Sequence, residues 1–459
     1  MQLTSDMQAV VIGLGKAGLA TVDDLLRQGL RVKVSDRRQR SAIDTTILDC
    51  LEQAGVELEC GGHSIDYICG ADVVIPGPGV PLDLPVLVAA REQGIPICGE
   101  LALAAGRFAV PVIAVTGSNG KTTVTSLIGA LLRAVGRTPF VGGNIGTPLL
   151  DYFADPSPYD CVVLELSSFQ LDLAGTFRPT IGLLLNITPD HIDRHGSLAA
   201  YTAAKQRLFA HQQPGDMAIL GGDDAVAAST PVNEGVLTLH FGRGEGCAAR
   251  IVDGAVHLGA HLPGMEATCF ALAGTKLRSS VNQLNAAAAI LAVFLAGGDA
   301  AGISAGLASY APPPHRMAEV AVIDGVGYIN DSKATNIGAL EAALAGCEAP
   351  VVLIAGGRDK GSDYHLLTEV VRRRVKALVL IGEAAPLMDE ALGHVVPTAK
   401  ATTMEEAVLL CQKKAKAGDL VLLAPGCASF DMFSGYEERG RIFAECVQRL
   451  IAVPQGGRE

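Results

Sequence analysis

The sequence is short of charged residues and has no excess of positive charge. Charged side chains make up 18% of its 459 residues and hydrophobic ones 49%, while 36 basic and 48 acidic residues give a formal net charge of -12. A chain of this length and apolar content can bury several cores, which excludes disorder as its dominant state. The negative charge argues against a general nucleic-acid or anionic-membrane binder, although a small phosphorylated ligand can still be held locally.

CxxC pairs, a signal peptide and a membrane-spanning run are also missing. The 11 cysteines, scattered from Cys50 to Cys446, favour a reducing cytosol over a disulfide framework. No basic segment precedes the apolar run near the N-terminus, which leads directly into a glycine motif, unlike a signal peptide. The longest apolar stretch, around Ala286–Ala296, is too short to cross a bilayer. We therefore expect a cytoplasmic protein without membrane insertion.

Short β-branched runs recur along the chain, and each is followed by a helix-like segment. Many are apolar on both faces, as buried parallel strands are, so the pattern predicts an α/β architecture with right-handed crossovers. No period of 20–50 residues is present, which argues against a solenoid. The predicted strands are Ala9–Gly13, Val112–Thr116, Cys161–Leu166, Ile181–Ile187, Val351–Ala355, Ala377–Ile381 and Leu420–Ala424.

Two breaks divide the chain into three expected domains. An Ala-rich segment gives way to a strand at Gly106–Pro111, and three prolines interrupt a helical pattern at Ala311–Arg316. We expect a Rossmann-like N-terminal domain (1–105), a central P-loop domain with a parallel sheet (106–313) and a Rossmann-like C-terminal α/β domain (314–459).

The first glycine motif has the spacing of a dinucleotide fingerprint. Gly13, Gly15 and Gly18 follow a strand and open a helix, and Asp36 ends the next strand. Such glycines let the backbone approach a diphosphate, and the acid can accept from a ribose or sugar hydroxyl. NAD or FAD, another nucleotide diphosphate, or a βαβ unit without a ligand are all open at this point. The rigid run Ile75–Pro81 either lines the same crevice or forms a plain strand-to-helix turn.

A second glycine motif predicts a P-loop. A strand, a glycine turn, Lys-Thr and a helix follow in that order, so Lys121 would neutralise the β and γ phosphates and Thr122 would ligate Mg²⁺. The strict pattern requires glycine where Val115 stands, and a chance glycine turn is the alternative. A central triphosphate site makes a dehydrogenase much less plausible. The candidate nucleotide-binding residues are Gly117, Ser118, Asn119, Gly120, Lys121, Thr122 and Thr123.

Three further side chains of the central segment are candidates for chemistry. Glu165 ends an apolar strand, where a carboxylate is costly unless it is paired or bound to a metal, so it is either a Mg²⁺ ligand or a salt-bridged core residue. His191 follows the next strand within a polar cluster, which favours a ligand or orienting role over a purely structural one. Lys205 lies on the helix after it, and its residue type alone predicts only a surface lysine.

Nine motifs, spread over nearly the whole chain, together establish a family resemblance. They are TGSNGKTT (Thr116–Thr123), GGNIGTPLL (Gly142–Leu150), LELSSFQL (Leu164–Leu171), NITPDHIDRH (Asn186–His195), AAKQRLF (Ala203–Phe209), PHR (Pro314–Arg316), NDSKATN (Asn330–Asn336), GGRDKGSDY (Gly356–Tyr364) and LLAPGCASFD (Leu422–Asp431). In this order and combination the sequence resembles the Mur ligases, the ATP-dependent amide-bond enzymes of peptidoglycan precursor synthesis. The NDSKATN motif is similar to that of the members that add D-glutamate.

The resemblance implies a set of small-molecule substrates and no nucleic-acid partner. They are ATP, UDP-N-acetylmuramoyl-L-alanine and D-glutamate, and a monomer is expected. The first glycine motif then serves a UDP-sugar, with no nicotinamide involved. The implied UDP-sugar residues are Lys16, Ala17, Gly18, Asp36, Arg37, Arg38, Asn144 and Ser167.

The resemblance also implies two Mg²⁺ sites and the residues around the other two substrates. Thr122 and Glu165 would serve one Mg²⁺, while His191 and Lys205, the latter as a carbamate formed with CO₂, would serve the other. Lys121, Glu165, His191 and Lys205 are the implied catalytic residues. ATP would also meet Asn285, Arg316 and Asp331, although Val281 stands where relatives often have histidine. The implied D-glutamate residues are Lys333, Thr335, Lys360, Ser429, Phe430 and Tyr436.

The implied chemistry is activation of a carboxylate as an acyl phosphate, followed by attack of an amine. Phosphoryl transfer of this kind depends on positioning and charge neutralisation. Three alternatives are a Mur-type or folylpolyglutamate ligase with another amino-acid specificity, a P-loop switch protein without ligase chemistry, and an NAD dehydrogenase.

Overall fold

The computed structural model describes residues 3–259, 268–347 and 349–452, and within them the strands form three sheets. The α/β class predicted from the sequence is confirmed. Within the same ranges, the helices fall short of the length and apolar character needed to cross a bilayer.

The N-terminal sheet has four parallel strands in the order β3-β2-β1-β4. Its strands are β1 (Gln8–Ile12), β2 (Arg31–Asp36), β3 (Glu57–Cys60) and β4 (Val73–Pro76). Its helices are α1 (Lys16–Arg27), α2 (Thr45–Gln53), α3 (Ile65–Cys69), α4 (Pro85–Glu92) and α5 (Glu100–Ala104), and a 3₁₀ turn spans Arg40–Ala42.

The central sheet has nine strands in the order β13-β12-β11-β10-β9-β8-β5-β7-β6. The run from β6 to β11 is parallel, and β12 pairs antiparallel with β11, so the predicted parallel sheet carries an antiparallel extension. Its strands are β5 (Val112–Thr116), β6 (Pro139–Gly143), β7 (Cys161–Glu165), β8 (Ile181–Leu184), β9 (Met217–Gly221), β10 (Leu237–Gly242), β11 (Ala249–Val252), β12 (Ala255–Leu258) and β13 (Thr268–Ala271).

Seven helices accompany these central strands within the described ranges. They are α6 (Lys121–Ala134), α7 (Ser168–Asp172), α8 (Ile192–His195), α9 (Leu198–Gln206), α10 (Ala225–Ala228), α11 (Ser280–Leu295) and α12 (Ala300–Ser309). Two 3₁₀ segments lie at Leu149–Ala154 and Arg207–Phe209.

The C-terminal sheet has six strands in the order β14-β15-β19-β16-β17-β18, all parallel except the edge strand β14. Its strands are β14 (Ala318–Ile323), β15 (Val326–Asn330), β16 (Val351–Gly356), β17 (Val375–Ile381), β18 (Thr398–Lys400) and β19 (Leu420–Leu423). Its helices are α13 (Ile337–Ala345), α14 (Thr368–Arg374), α15 (Ala385–Leu392), α16 (Met404–Lys414) and α17 (Tyr436–Ala452), with a 3₁₀ turn at Tyr364–Leu367.

The chain divides into two compact units. The first consists of Met1–Ile187, Ala199–Phe270 and Ala286–Ser309, and the second of Thr188–Leu198, Ala271–Asn285 and Tyr310–Glu459. In the first unit, one hydrophobic core joins residues of the N-terminal and central sheets. In the second, two cores lie on the two faces of the C-terminal sheet.

A buried carboxylate ties the N-terminal helix α1 to the segment after α5, inside the first unit. Asp24 accepts hydrogen bonds of 2.7 and 2.8 Å from the Arg107 guanidinium, which lies 3.9 Å above the ring of Phe153. A bidentate arginine of this kind fixes geometry and compensates a buried charge.

The strands predicted from apolar runs are all present; Val112–Thr116 agrees at both ends, and the ends that differ shift by one to three residues. β8 ends at Leu184 instead of Ile187, so His191 lies in the following loop and not at the strand's end. Strand β6 was not predicted, because it begins with Pro139 and contains two glycines. It is an edge strand, where a missing backbone donor is tolerated.

Candidate functional site

The second glycine motif forms a tight loop between β5 and α6. Gly117 and Gly120 have φ angles of +150° and +85°, and a Cβ on Gly117 would lie 3.0 Å from the Leu185 side chain. Val115 lies inside β5, where it pairs with Glu165 of β7. The position that departs from the strict P-loop pattern therefore belongs to the strand, and the loop itself begins at Gly117.

Two predicted catalytic lysines meet at one backbone oxygen of this loop. The Nζ of Lys121 donates to the carbonyls of Gly117 at 2.7 Å and Ser118 at 2.8 Å, and the Nζ of Lys205 donates to the Gly117 carbonyl at 2.8 Å. Lys205 is only 1% exposed, and its Nζ lies 4.6 Å from the centre of the Tyr201 ring. Sequence alone suggested a surface lysine at this position, and the structure places it in the core beside the P-loop.

Asn186, which was not predicted as a site residue, holds the P-loop from the segment that follows the neighbouring strand β8. Its carbonyl accepts from the Ser118 N–H at 2.9 Å, and its side-chain oxygen accepts from the Asn119 N–H at 2.8 Å. Its amide in turn donates to the Asn119 carbonyl at 3.1 Å. The loop conformation therefore depends on a side chain 67 positions away in sequence.

Glu165, the predicted carboxylate ligand of a metal, is the last residue of β7, and one of its two oxygens has no hydrogen-bond partner among the described residues. Glu165 is 3% exposed, and its Oε1 accepts from the Asn144 side-chain amide at 2.9 Å. Its Oε2 is buried and has no hydrogen-bond partner among the described residues. Leaving a buried carboxylate oxygen unpaired is costly, and such an oxygen is a hard ligand of the kind Mg²⁺ prefers. Within the described residues, three or more His, Cys, Asp or Glu side chains do not converge into a metal-binding group.

A chain of buried hydrogen bonds orients Ser167 at the start of α7. The Gln170 side-chain oxygen accepts from both the N–H and the hydroxyl of Ser167 at 2.8 Å, while its amide donates to Glu100 at 2.6 Å. Burial raises the pKa of Glu100, opposed by the Gln170 hydrogen bond. Glu100 and Gln170 were not predicted as site residues, although Gln170 belongs to the LELSSFQL motif.

The first glycine motif lines a pocket of about 540 Å³ in the N-terminal sheet. Gly18 is required there, since a Cβ on it would lie 1.9 Å from the Gly13 carbonyl oxygen. Of the residues predicted for the UDP-sugar, the pocket lining includes Ala17, Gly18, Asp36, Arg37 and Arg38. The lining does not include Lys16, Asn144 or Ser167: Lys16 is exposed at the start of α1, and the other two lie near Glu165 and Gln170.

Asp36 is committed to the protein's own backbone and to Arg38. One carboxylate oxygen accepts from the Leu14 N–H at 2.7 Å and from Arg38 at 2.9 Å, and the other accepts from the Arg38 N–H and Nε at 2.9 and 2.8 Å. Burial acts to raise the pKa of Asp36, but these hydrogen bonds outweigh it and lower the pKa to about 2. Asp36 therefore holds the glycine turn in shape, and its direct contact with a ligand stays a prediction.

The residues predicted for D-glutamate belong to the second unit, on loops around its sheet. The Lys333 Nζ lies 3.7 Å from the centre of the Tyr436 ring, as a cation over an aromatic face. Lys360 pairs with Asp190 at 3.4 Å. Ser429 is buried and Phe430 is 65% exposed. Thr335, on the same loop as Lys333, is half-buried.

Asp190, the neighbour of His191, is a further residue that sequence reasoning missed. Besides Lys360, it accepts from the Asn336 side-chain amide at 3.0 Å, and Asn336 itself caps α13 by accepting from the Ala339 N–H at 2.8 Å. His191 has a φ of +55° and precedes α8. A non-glycine residue in this region marks local strain of the kind found at functional loops.

The predicted nucleotide residues of the second unit lie at three places: Asn285 on α11, Arg316 before β14 and Asp331 after β15. The Asn285 amide donates to the Asn282 side chain at 3.1 Å within α11. Asp331 follows β15 and accepts from the Met317 N–H at 3.1 Å. Burial raises the pKa of Asp331 to about 6, against the opposing effects of that hydrogen bond and of the Arg316 charge.

A buried arginine, not predicted from the sequence, joins the loops of the second unit. Arg439 of α17 is 0% exposed and donates to the Ser332 hydroxyl and carbonyl at 3.0 and 2.8 Å, and to the carbonyls of Cys427 and Ala428 at 3.1 and 3.2 Å. Burial lowers the pKa of Arg439 to about 10, so the group stays charged at neutral pH. It connects the loops that carry Lys333 and Ser429.

Comparison with known proteins places this constellation in one family. Three family models match consecutive parts of the chain: the Mur ligase MurD-like N-terminal domain over residues 7–99, the Mur ligase middle domain over 115–293 and the Mur ligase glutamate ligase domain over 315–427. The chain belongs to the Mur ligase family, and its three-domain α/β organisation is confirmed.

Two relatives that match nearly the whole chain have the same name. UDP-N-acetylmuramoylalanine–D-glutamate ligase of Desulfotalea psychrophila is 46% identical over 445 residues, covering 96% of both chains. The enzyme of the same name from Syntrophotalea carbinolica is 38% identical, covering 97% of this chain and 98% of its own.

Solved structures share the fold at lower identity. A pseudomurein peptide ligase type C from Methanothermus fervidus matches with a TM-score of 0.60 and 18% identity, covering 97% of this chain and 100% of its own. MurF ligase from Thermotoga maritima in complex with ADP matches with a TM-score of 0.60 and 18% identity, covering 97% and 96%.

Proposed function

We propose that this chain joins D-glutamate to UDP-N-acetylmuramoyl-L-alanine at the expense of ATP, through an acyl phosphate. The observation that carries the proposal is end-to-end similarity to relatives named for this reaction, at 38% and 46% identity. The Lys121 loop and the buried Glu165 support it chemically, since a phosphoryl transfer needs a cation at the phosphates and an acidic metal ligand.

Mg²⁺ fits the residues present, on the evidence of the unpaired Glu165 Oε2. Thr122 and Glu165 would hold one ion, and His191 with carbamylated Lys205 would hold the other. When bound, Mg²⁺ supplies positive charge to the phosphate oxygens during transfer. Asn144 keeps Glu165 Oε1 occupied at 2.9 Å, so that Oε2 is the oxygen available for a metal.

In the proposed reaction an L-alanyl carboxylate oxygen attacks the γ-phosphorus of ATP. The bond from that phosphorus to the bridging oxygen breaks, and ADP leaves. The D-glutamate amine then attacks the acyl carbon, loses a proton and expels phosphate. Lys121 at the P-loop is the residue that neutralises charge as the phosphoryl group moves.

Lys205 is proposed to react with CO₂ through its amine nitrogen, which converts a cation into a carbamate anion. Its near-complete burial beside the Gly117 carbonyl supports a role inside the site and not at the surface. With ¹³C-labelled bicarbonate, the wild-type chain is expected to give one carbamate resonance that K205A lacks. A spectrum of the wild type without that signal would reject the modification.

The three substrates are assigned to separate groups of residues. The UDP-sugar is assigned to the N-terminal pocket with Asn144 and Ser167, and ATP to the P-loop with Asn285, Arg316 and Asp331. D-glutamate is assigned to Lys333, Thr335, Lys360, Ser429, Phe430 and Tyr436. Domain boundaries near residues 105 and 313, a monomeric state and a cytoplasmic location complete the proposal.

Phosphate release tests the proposal directly. Purified protein is given ATP, Mg²⁺ and UDP-N-acetylmuramoyl-L-alanine, with D-glutamate present, withheld or replaced by L-glutamate, L-alanine or a folate substrate with glutamate. Release that requires D-glutamate supports the assignment. Release with another acceptor instead would assign a related ligase, and no release with any pair would reject ligase activity.

A further inference from the structure

The N-terminal pocket lacks a free acceptor at the position where a dinucleotide fingerprint would place one. In that fingerprint the acid at the end of the second strand accepts from a ribose hydroxyl. Here both oxygens of Asp36 already accept two hydrogen bonds each, from Leu14 and Arg38. A carboxylate offers about four lone-pair sites, so this one is fully used by the chain.

A second polar side chain lines the same pocket from the loop after β3. His63 is among the lining residues, and its Nδ1 lies 2.7 Å from the hydroxyl of Ser35, the neighbour of Asp36 on β2. Ser35 is fully buried, and its hydroxyl also lies 2.7 Å from Glu59 Oε2. Glu59, Ser35 and His63 therefore form a continuous hydrogen-bonded row that ends at the pocket.

The direction of the hydrogen bonds in this row follows from counting hydrogens. A hydroxyl has one hydrogen, and two neighbours of Ser35 Oγ can only accept: Glu59 Oε2 at 2.7 Å and the Gly62 carbonyl at 3.2 Å. The Ser35 O–H therefore donates on this side, to the nearer Glu59 oxygen. Ser35 Oγ then accepts, and the 2.7 Å contact with His63 requires a hydrogen on Nδ1. The neutral ring consequently has its lone pair on Nε2. That nitrogen makes no hydrogen bond to the described residues.

We propose that His63 Nε2 accepts a hydrogen bond from the uridine part of the UDP-sugar, and that Ser35 and Glu59 are positioning residues that fix its tautomer. The inference rests on the proposed function, because it takes the pocket's ligand to be a uridine diphosphate. The donor is the 2′ O–H of the ribose or the N3–H of uracil. In this pocket His63, on the loop after β3, acts as the acceptor in place of Asp36, the acid of the fingerprint.

Two substitutions separate a ligand contact from a structural one. In His63→Gln the side-chain amide reaches the place of Nε2 and can still present an acceptor there. In His63→Asn the amide reaches only the place of Nδ1, so the Ser35 contact is kept and the pocket-facing atom is lost. An exposed histidine of the same unit, His211, provides the control substitution His211→Gln.

Titration calorimetry of the full chain with UDP measures the effect. We expect H63N and H63A to weaken UDP binding by about tenfold, as for loss of one hydrogen bond to a ligand, and H63Q and H211Q to stay within about threefold of wild type. N3-methyluridine diphosphate and 2′-deoxyuridine diphosphate identify the donor, since the analogue without it binds wild type and H63N equally. If each analogue still discriminates wild type from H63N, both donors are rejected and the inference fails.

Other outcomes distinguish this inference from the proposed function. Wild type that does not bind UDP would reject the assigned ligand of the pocket, and the inference with it. Wild type that binds UDP while H63N and H63A bind equally well, or while H63Q is the weak variant, would overturn only the role of His63.

A nitrogen NMR spectrum of labelled wild type tests the tautomer without any variant. His63 is expected to have Nδ1 protonated and Nε2 bare, with the Nε2 resonance shifting when UDP is added. A bare Nδ1, or an Nε2 resonance unmoved by saturating UDP, would contradict the proposal.

Discussion

The carboxyl group of Glu100 accepts a 2.6 Å hydrogen bond from the side-chain amide of Gln170 in the interior of the first unit. A backbone N–H can only donate, so the Ser167 N–H determines that the Gln170 oxygen faces Ser167 and the NH₂ faces Glu100. The other Glu100 oxygen is buried and has no hydrogen-bond partner among the described residues. Glu100 thereby orients Ser167 through Gln170.

Replacing Glu100 tests this positioning role. E100Q keeps an acceptor for Gln170 and resembles the protonated carboxyl group that burial favours, so KM for UDP-N-acetylmuramoyl-L-alanine is expected to stay within about threefold of wild type. E100L removes the acceptor, and KM is expected to rise about tenfold with a smaller change in kcat. Steady-state kinetics measures both values, and an E100L enzyme with the wild-type KM would contradict the role.

Lys121 is expected to be essential for phosphoryl transfer. K121A removes the ammonium group that donates hydrogen bonds to two carbonyls of the P-loop. Because this group would neutralise the charge of the moving phosphoryl group, the rate of phosphate release should fall on the order of a thousandfold. UDP binding to the N-terminal pocket serves as the folding control and should not change. Undiminished phosphate release by K121A would remove the proposed mechanism.

Asp331 should make the second unit less stable as the pH rises. Burial raises the pKa of Asp331 to about 6 from 3.8, so the folded state holds the proton more tightly than the unfolded state. Because the pKa of Asp331 is higher in the folded state, its contribution to the free energy of unfolding is greatest below pH 3.8. That contribution is lost as the pH rises through 6. The loss is at most about 3 kcal/mol.

The variant D331N should therefore be more stable than wild type at pH 7.5 and about equally stable near pH 4. Denaturant unfolding at several pH values checks this, because the difference in the free energy of unfolding between the two proteins should grow as the pH rises from 4 to 6. A difference that is constant with pH would show that Asp331 does not titrate in this range.

Arg439 is expected to be the most sensitive buried residue of the second unit. R439M removes the four hydrogen bonds that Arg439 donates to Ser332, Cys427 and Ala428, at a cost of about 3 kcal/mol in the free energy of unfolding. The control is R441M on the same helix, where an exposed pair with Glu445 is worth less than about 1 kcal/mol. Equal effects of the two variants in a denaturant titration would refute the assignment.

Much of the fold could be predicted, because its buried parallel strands are continuous apolar runs. The runs at β5, β16 and β19 are apolar on both faces, and each was assigned correctly. Strand β6 escaped prediction because pairing with β7, and not its own residue preferences, makes it a strand. The same is true of short strands such as β18, which has only three residues.

The amino-acid sequence by itself determined the α/β class, the P-loop and the family, because these depend on local residue order and on motifs contiguous in the chain. Only the tertiary structure decided that Lys205 is buried against the Gly117 carbonyl and that His63 lines the pocket. It also decided that the carboxylate oxygens of Asp36 accept hydrogen bonds from Leu14 and Arg38. These relationships join atoms on different strands and loops. Their geometry depends on how buried polar groups find partners, a requirement satisfied only when the whole chain has folded.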